Sequence, residues 1–182
     1  MRKNQKGFSL IELLIVVAII LIIAAIAIPN LLRSKMAANE ASAVGSIRTI
    51  VTAAITYNTT YGDQFPPTLN QLGPPAAGAP ASCNFSGLLD PLLSGVNPGT
   101  ANPQKSGYKF TWTGTGAATA PVPASCAAPG QAGFVIAAMP ITPGTTGNRS
   151  FCADETGVLY DDPTGATKAV TEAGCEALTP LQ

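Results

Sequence analysis

The sequence predicts an α+β fold: a long N-terminal α-helix, whose first half spans a membrane, packed on a small antiparallel β-sheet. Three observations support this prediction. An apolar run occupies residues 8–28, an amphipathic helical period continues to about residue 57, and segments with the two-residue period of strands occur only after residue 107. The 182 residues suffice for one ordinary domain in addition to the first helix. Helices and strands in separate stretches of a chain are typical of α+β proteins.

The apolar run is long enough to cross a membrane once. Every residue from Leu10 to Ile28 except Glu12 is Leu, Ile, Val or Ala. At about 1.5 Å per residue, a helix over residues 8–28 is roughly 31 Å long, which matches the roughly 30 Å hydrocarbon thickness of a bilayer. A helix that is apolar on every side must be buried in lipid or among similar helices.

Glu12 is the exceptional residue of this run. An ionised carboxylate inside a membrane helix costs up to about 3 kcal/mol, so such an acid is by default a functional candidate that needs a cationic partner. Its own helix offers no such partner, but residues 1–7 carry three basic side chains and end in the small residue Gly7. A cut between Gly7 and Phe8 would create an α-amine at the depth of Glu12. The amine of one molecule could then neutralise the Glu12 of its neighbour.

The segment Gly7-Phe8-Ser9-Leu10-Ile11-Glu12 resembles the cleavage and N-methylation signature of type IV prepilins and type II secretion pseudopilins. The resemblance covers residues 1–30 in detail, including Pro29 at the end of the apolar run. It implies that a membrane prepilin peptidase removes residues 1–7 and methylates the amine of Phe8. It further implies that Glu12 sets subunit register while an inner-membrane machinery assembles a helical homo-oligomeric filament.

Three other interpretations of the apolar run compete with this one. In a single-pass anchor with an incidental acid, the Glu12 charge would cost free energy in the membrane without serving any function. A secretory signal cut after Ala25-Ile26-Ala27 has an A-x-A-like site, but a glutamate in its apolar region is unusual and the helical pattern continues through the site. A core helix of a soluble domain would not be this long.

The chain divides into five stretches. They are a leader (1–7), a transmembrane and filament-core helix (8–29), an amphipathic helix continuing into the head (30–60), a loop-rich connection (61–106), and an antiparallel sheet with a C-terminal disulfide loop (107–182). Pro29 cannot donate a hydrogen bond to the carbonyl of Ala25, and its ring crowds that turn. We therefore expect the helix to kink or loosen there.

Strand patterns follow the proline-rich connection. Short helical turns are expected inside the connection at residues 68–72 and 86–93. Alternation of aromatic and polar residues over 108–113 and a second apolar run at 134–139 predict two strands. Residues 149–153 and 157–160 flank Asp154-Glu155-Thr156-Gly157, which predicts a hairpin. Three or four strands are thus expected on the second half of the helix.

The cysteines Cys83, Cys126, Cys152 and Cys175 have spacings unlike any zinc motif, and the chain contains no histidine. Disulfides in an oxidising compartment are a simpler explanation than four free thiols. Of the three possible pairings we favour Cys83 with Cys126 and Cys152 with Cys175. The second would close a C-terminal loop from a predicted strand, as in many pilins.

Several function classes are disfavoured. Without histidine there is no Ser-His-Asp or Cys-His nucleophile system, and no glycine-rich phosphate loop follows a strand, so we predict no enzyme and no cofactor. The pairs Asp154-Glu155 and Asp161-Asp162 are conceivable Ca²⁺ ligands, but we favour solvated turn residues and predict no metal site. The lysines and arginines are scattered, which argues against direct nucleic-acid binding.

The resulting prediction is a structural subunit of a type IV pilus-like surface filament. The alternatives are a pseudopilin of a type II secretion system and a membrane-tethered binding domain that does not polymerise. Three basic residues precede the apolar run and two follow it closely, which slightly favours a cytoplasmic N-terminus. We therefore expect an inner-membrane precursor that becomes part of an extracellular or periplasmic filament.

Overall fold

The computed structural model describes residues 8–62, 64–96, 102–119, 121–124, 126, 129–165 and 172–181. Gly7, the predicted cleavage residue, lies outside the described residues. The chain forms two compact units, Met1–Lys35 and Met36–Gln182.

One helix, α1, extends over Leu10–Thr60. Its 51 residues join the predicted membrane half and amphipathic half into a single element, and its assignment continues through Pro29. In the first unit the apolar residues of α1 are exposed. Among the described residues, α1 is the helix long and apolar enough to cross a membrane, with a mean hydropathy of 3.3 over its most apolar window.

In the second unit, α1 presents one buried stripe to the head. The side chains recur at three- and four-residue intervals, as the helical period of the sequence predicts. The buried residues are Ala43, Ser46, Ile47, Ile50, Val51, Ala53, Ala54 and Tyr57.

Six antiparallel strands form one sheet, in which each strand pairs with the next along the chain. They are β1 (Gln104–Lys105), β2 (Tyr108–Ala117), β3 (Gln131–Pro140), β4 (Ser150–Asp154), β5 (Leu159–Asp162) and β6 (Thr179–Pro180). The four longer strands are the predicted ones, and the two-residue strands β1 and β6 were not predicted. Asp154 ends β4 and does not lie in the hairpin loop.

The connection before the sheet contains two short helical elements. A 3₁₀ turn at Leu69–Leu72 agrees with the first prediction. The second element, α2, comprises only Pro91–Ser94. The prediction of a turn over 86–93 was wrong in its first half, because the backbone N–H groups of Ser86, Leu88 and Leu89 donate to the 3₁₀ turn at Gln71 and Leu72. A third helix, α3, covers Glu172–Glu176.

The hydrophobic core lies between the buried stripe of α1 and one face of the sheet. Tyr108, Phe110, Phe134 and Phe151 are fully buried there. The Trp112 ring stacks on Phe134 with centroids 4.4 Å apart. A smaller cluster on the opposite face joins Val135, Ala137, Cys152 and Cys175.

Two disulfides stabilise the head: one joins two loops, and the other joins a short helix to the sheet. Cys83 is bonded to Cys126, with Cα atoms 5.4 Å apart, and Cys152 to Cys175, with Cα atoms 6.0 Å apart. This is the pairing that the sequence analysis favours. The second bond ties α3 to β4 and closes the C-terminal loop, which completes the predicted α+β fold.

Candidate assembly site

The start of α1 holds the Glu12 carboxylate in a defined position. The backbone N–H of Ser9 donates to Oε2 of Glu12 at 3.0 Å. The N–H of Leu13 donates to the Ser9 carbonyl at 3.2 Å. A glutamate that reaches back to the residue before the helix forms the acidic half of a capping box, whose sequence pattern is Ser-x-x-Glu. Glu12 thus satisfies one of the free N–H groups at the helix start.

The Glu12 charge nevertheless has no cation near it along the helix. Residues 8–32 contain no lysine or arginine, and the first cation is Arg33. Arg33 lies 21 positions after Glu12, which along a helix is about 31 Å. A hydrogen bond from a neutral amide does not cancel a full negative charge. The neutralising group for Glu12 must therefore come from residues 1–7 or from another molecule.

The helix around Glu12 offers only apolar surface. The large apolar side chains from Phe8 to Ile28 are 46–79% exposed in the isolated chain. Such a surface is stable only when lipid or other apolar helices cover it. Pro29 ends this segment without ending α1, and shortly after it the Ser34 hydroxyl donates to the Asn30 carbonyl at 3.0 Å.

An ion-pair network attaches the head to α1. Arg149 donates from Nε to Glu40 at 3.0 Å and from Nη1 to Asp161 at 3.3 Å. The second Glu40 oxygen accepts the N–H groups of Asn148 and Arg149 at 2.9 and 3.3 Å. Burial acts to raise the pKa of Glu40, but the hydrogen bonds from Asn148 and Arg149 outweigh it, so the pKa lies below its ordinary value. Sequence reasoning missed this network because Glu40 and Arg149 are 109 positions apart.

The two acidic pairs have structural environments that the sequence did not predict. Asp154 and Asp162 are the last residues of β4 and β5 rather than turn residues, and they are only 1% and 3% exposed. The prediction that they are solvated was therefore wrong for these two. Each carboxylate accepts the backbone N–H and the hydroxyl of a threonine two residues later, Thr156 or Thr164. These bonds turn the carboxylates toward their own loops. Within the described part of the chain, no group of three or more acidic or cysteine side chains is placed to hold a metal.

Comparison with known proteins connects the N-terminal segment, and more than half of the chain, to one family. The family described as "Prokaryotic N-terminal methylation motif" matches residues 2–28. The wide pilus major component PilA4 of Thermus thermophilus is 38% identical over 141 residues, which cover 68% of this chain and 98% of the relative.

Two further relatives match shorter stretches. The type IV major fimbrial protein FimA of Dichelobacter nodosus is 39% identical over 101 residues, or 53% of this chain and 62% of the relative. The type IV major pilin protein PilA of Myxococcus xanthus is 46% identical over 50 residues, or 28% of this chain and 23% of the relative. No solved structure matches the chain.

Proposed function

This chain belongs to the type IV pilin family, and from that premise we propose that it polymerises into a surface filament by bundling of its N-terminal helices, with Glu12 setting the register. Type IV pilins are structural subunits and not enzymes, so the sequence-based exclusion of catalysis is confirmed. The family implies a filament of identical subunits and processing by a prepilin peptidase. It also fits a membrane-anchored precursor that becomes a surface filament.

The observation that supports the register mechanism is the single carboxylate in the otherwise apolar segment of α1 at residues 10–28. Cleavage after Gly7 would leave an amine on Phe8, four residues before Glu12. N-methylation of an amine retains its positive charge at neutral pH. When a subunit leaves the lipid, only an axial position that brings this amine to Glu12 of a neighbour neutralises both charges in an apolar surrounding. Misregistered positions leave two unpaired charges and are disfavoured.

The two halves of α1 would then have different tasks. We assign residues 8–29 to the filament core and residues 30–60 to the support of the head. Pro29 lies at the boundary, where the missing backbone hydrogen bond would let the helix bend during the transfer. The head, with its sheet and disulfides, would lie on the outside of the filament.

The orientation of the precursor follows from its basic leader. Residues 1–7 carry Arg2, Lys3 and Lys6. We infer that they remain on the cytoplasmic side of the inner membrane and that the head is exported. An exported head has access to an oxidising compartment, which agrees with its two disulfides.

A pseudopilin of a type II secretion system is the second candidate within the same mechanism. The relatives described above are major components of pili or fimbriae, which favours the pilus. Long surface fibres at natural expression levels would support the pilus, and a protein-secretion defect on deletion would support the pseudopilus. A tethered binding domain would instead remain monomeric and uncut.

Substitution of Glu12 tests the register mechanism. We expect Glu12→Val to reach the membrane in normal amounts but to yield few or no filaments in the sheared surface fraction. Ile11→Val is the matched control, since it changes the neighbouring side chain without touching a charge, and it should assemble normally. Wild-type filament yield from Glu12→Val would refute the role of the carboxylate.

A further inference from the structure

The loop-rich connection forms an open groove walled by prolines, here called the proline groove. Its volume is about 490 Å³, and its lining includes Pro74, Pro75, Pro80, Phe85, Pro91 and Val96. None of the described residues that line it is a lysine, an arginine or an acidic residue. Because proline has a fixed φ, these walls lose little conformational entropy when a partner binds.

Hydrogen bonds and a disulfide hold one wall of the groove in place. Ser82 and Phe85 exchange both of their backbone hydrogen bonds at 3.0 Å, and Cys83 between them is bonded to Cys126. The backbone N–H of Ser86 donates to the Gln71 carbonyl at 2.8 Å. The Phe85 ring nevertheless remains 41% exposed. A large aromatic side chain is thus presented to solvent on a rigid turn.

A protruding apolar segment lies on the other side of this disulfide. Val122 is 45% exposed between Pro121 and Pro123, here called the Pro-Val-Pro loop. The Pro123 carbonyl accepts the N–H of Cys126 at 2.9 Å, which attaches the loop to the disulfide. Two prolines favour the extended polyproline conformation, which apolar and aromatic grooves commonly bind. Val122 is not among the described residues that line the proline groove of its own chain.

The chain segments that carry the groove and the loop have almost no charge. Residues 110–148 contain no charged side chain, and residues 64–104 contain only Asp90. The Asp90 carboxylate is already occupied, since it accepts the N–H groups of Leu92 and Leu93 at 3.0 and 2.9 Å. Exposed surfaces of soluble domains usually carry mixed charges, whereas the cores of interfaces are depleted of them. This composition disfavours a charged partner and indicates an uncharged one.

We propose that the Pro-Val-Pro loop of one copy of this chain occupies the proline groove of another, forming a contact between heads in the assembled filament. The inference rests on the proposed polymerisation. A second copy is the occupant that the molecule itself supplies, because each copy has both an apolar groove and an apolar protrusion that its own groove does not receive. In a polymer of one subunit, the two are repeated side by side at high effective concentration.

Cross-linking in mixed filaments tests the contact directly. One population carries Ala79→Cys at the groove and the other carries Val122→Cys, so a link between the two positions can only join different copies. The four native cysteines are in disulfides and do not react with maleimides. A short bismaleimide should produce dimers whose linked peptides contain positions 79 and 122. Mixed filaments with Ile141→Cys in place of Val122→Cys are the matched control, because Ile141 is 46% exposed, and they should give no such link.

Introducing a charge at Val122 measures how much the contact contributes to the stability of the filament. Val122→Asp should speed filament dissociation by roughly tenfold, which corresponds to the burial of one valine. Ile141→Asp should leave the rate within about twofold. The contact is refuted if filaments form and both cysteines react with a monofunctional maleimide but no link appears. Equal dissociation of the two aspartate variants would also refute it. Failure of the wild-type chain to form any filament would instead refute the proposed function.

Discussion

The backbone N–H of Ser9 donates to the Glu12 carboxylate at 3.0 Å, so the residue proposed to set subunit register also caps the first turn of its own helix. A carboxylate has two oxygens, and the one that accepts from Ser9 is Oε2. Oε1 can therefore receive an amine from another copy while the cap persists. The cap fixes the direction of the side chain before any neighbour arrives, which reduces the entropy lost on pairing.

The two tasks of Glu12 can be separated by substitution. Glu12→Gln retains an oxygen that can accept from Ser9 but loses the charge, whereas Glu12→Ala loses both. We expect the Ala variant to weaken the first helical turn by about 1 kcal/mol and the Gln variant to preserve it. Hydrogen exchange of the Ser9 amide in detergent-solubilised precursor measures the cap. Filament yield should fall in both variants, and equal amide protection in the two would contradict the capping role.

The network of Glu40 and Arg149 makes the stability of the head depend on acidic pH. The folded-state pKa of Glu40 lies below its ordinary value of 4.5. The contribution of the ionised Glu40 to the free energy of unfolding is therefore complete above about pH 4.5 and is lost as the pH falls through the folded-state pKa. Thermal unfolding of the wild type and of Glu40→Gln in detergent should differ most near neutral pH and converge in acid. A difference that is constant with pH would contradict this assignment.

The ionisation of Tyr57 should make the stability of the head depend on alkaline pH as well. Its hydroxyl donates to the Cys83 carbonyl at 2.9 Å, and burial, with a smaller contribution from Tyr61, raises its pKa to about 12. The contribution of the protonated Tyr57 side chain to the free energy of unfolding is complete below about pH 10 and is lost as the pH rises through about 12. Subtracting the ultraviolet titration of Tyr57→Phe from that of the wild type should leave a tyrosinate step near pH 12. A step near pH 10 would show that the side chain is not buried.

Substitution by alanine should change the free energy of unfolding in opposite directions at two glycines. A Cβ at Gly130 would lie 2.6 Å from the Phe65 carbonyl oxygen, a backbone atom that cannot move away without cost. We expect Gly130→Ala to lower the free energy of unfolding by about 1–3 kcal/mol. Gly45 lies inside α1, and apart from the backbone of the helix itself no described atom lies within 4 Å of its Cβ position, so Gly45→Ala should raise the free energy of unfolding by roughly 0.5–1 kcal/mol. Denaturant unfolding of the solubilised protein measures both changes, and a shift of the same sign in both would contradict this packing.

Much of the fold could be predicted because it depends on periodic patterns. The helical period over residues 31–57 and the alternation in β2 are local, and each determines which face is buried. The strands β1 and β6 have two residues each and carry no pattern of their own. Their position depends on pairing with β2 and β5, which only the folded chain provides.

The missed features of the site depend on long-range contacts or on competing interpretations. Glu40 lies on α1 and Arg149 immediately precedes β4, so their contact depends on how the sheet packs on the helix. Asp154 and Asp162 have the sequence of exposed turns, yet their carboxylates fold back onto threonines and become buried. The Ser9-x-x-Glu12 pattern is the local signature of a capping box, whereas the sequence analysis predicted only charge pairing for Glu12.

The central claim is that a new amine on Phe8 meets Glu12 of a neighbouring subunit, and N-terminal sequencing with mass analysis of sheared surface filaments tests it most directly. The account predicts a chain that begins at N-methylated Phe8 and lacks residues 1–7. Filaments whose subunits begin at Met1, or at Ile28 after a signal-type cut, would contradict it, because no amine would then lie near Glu12.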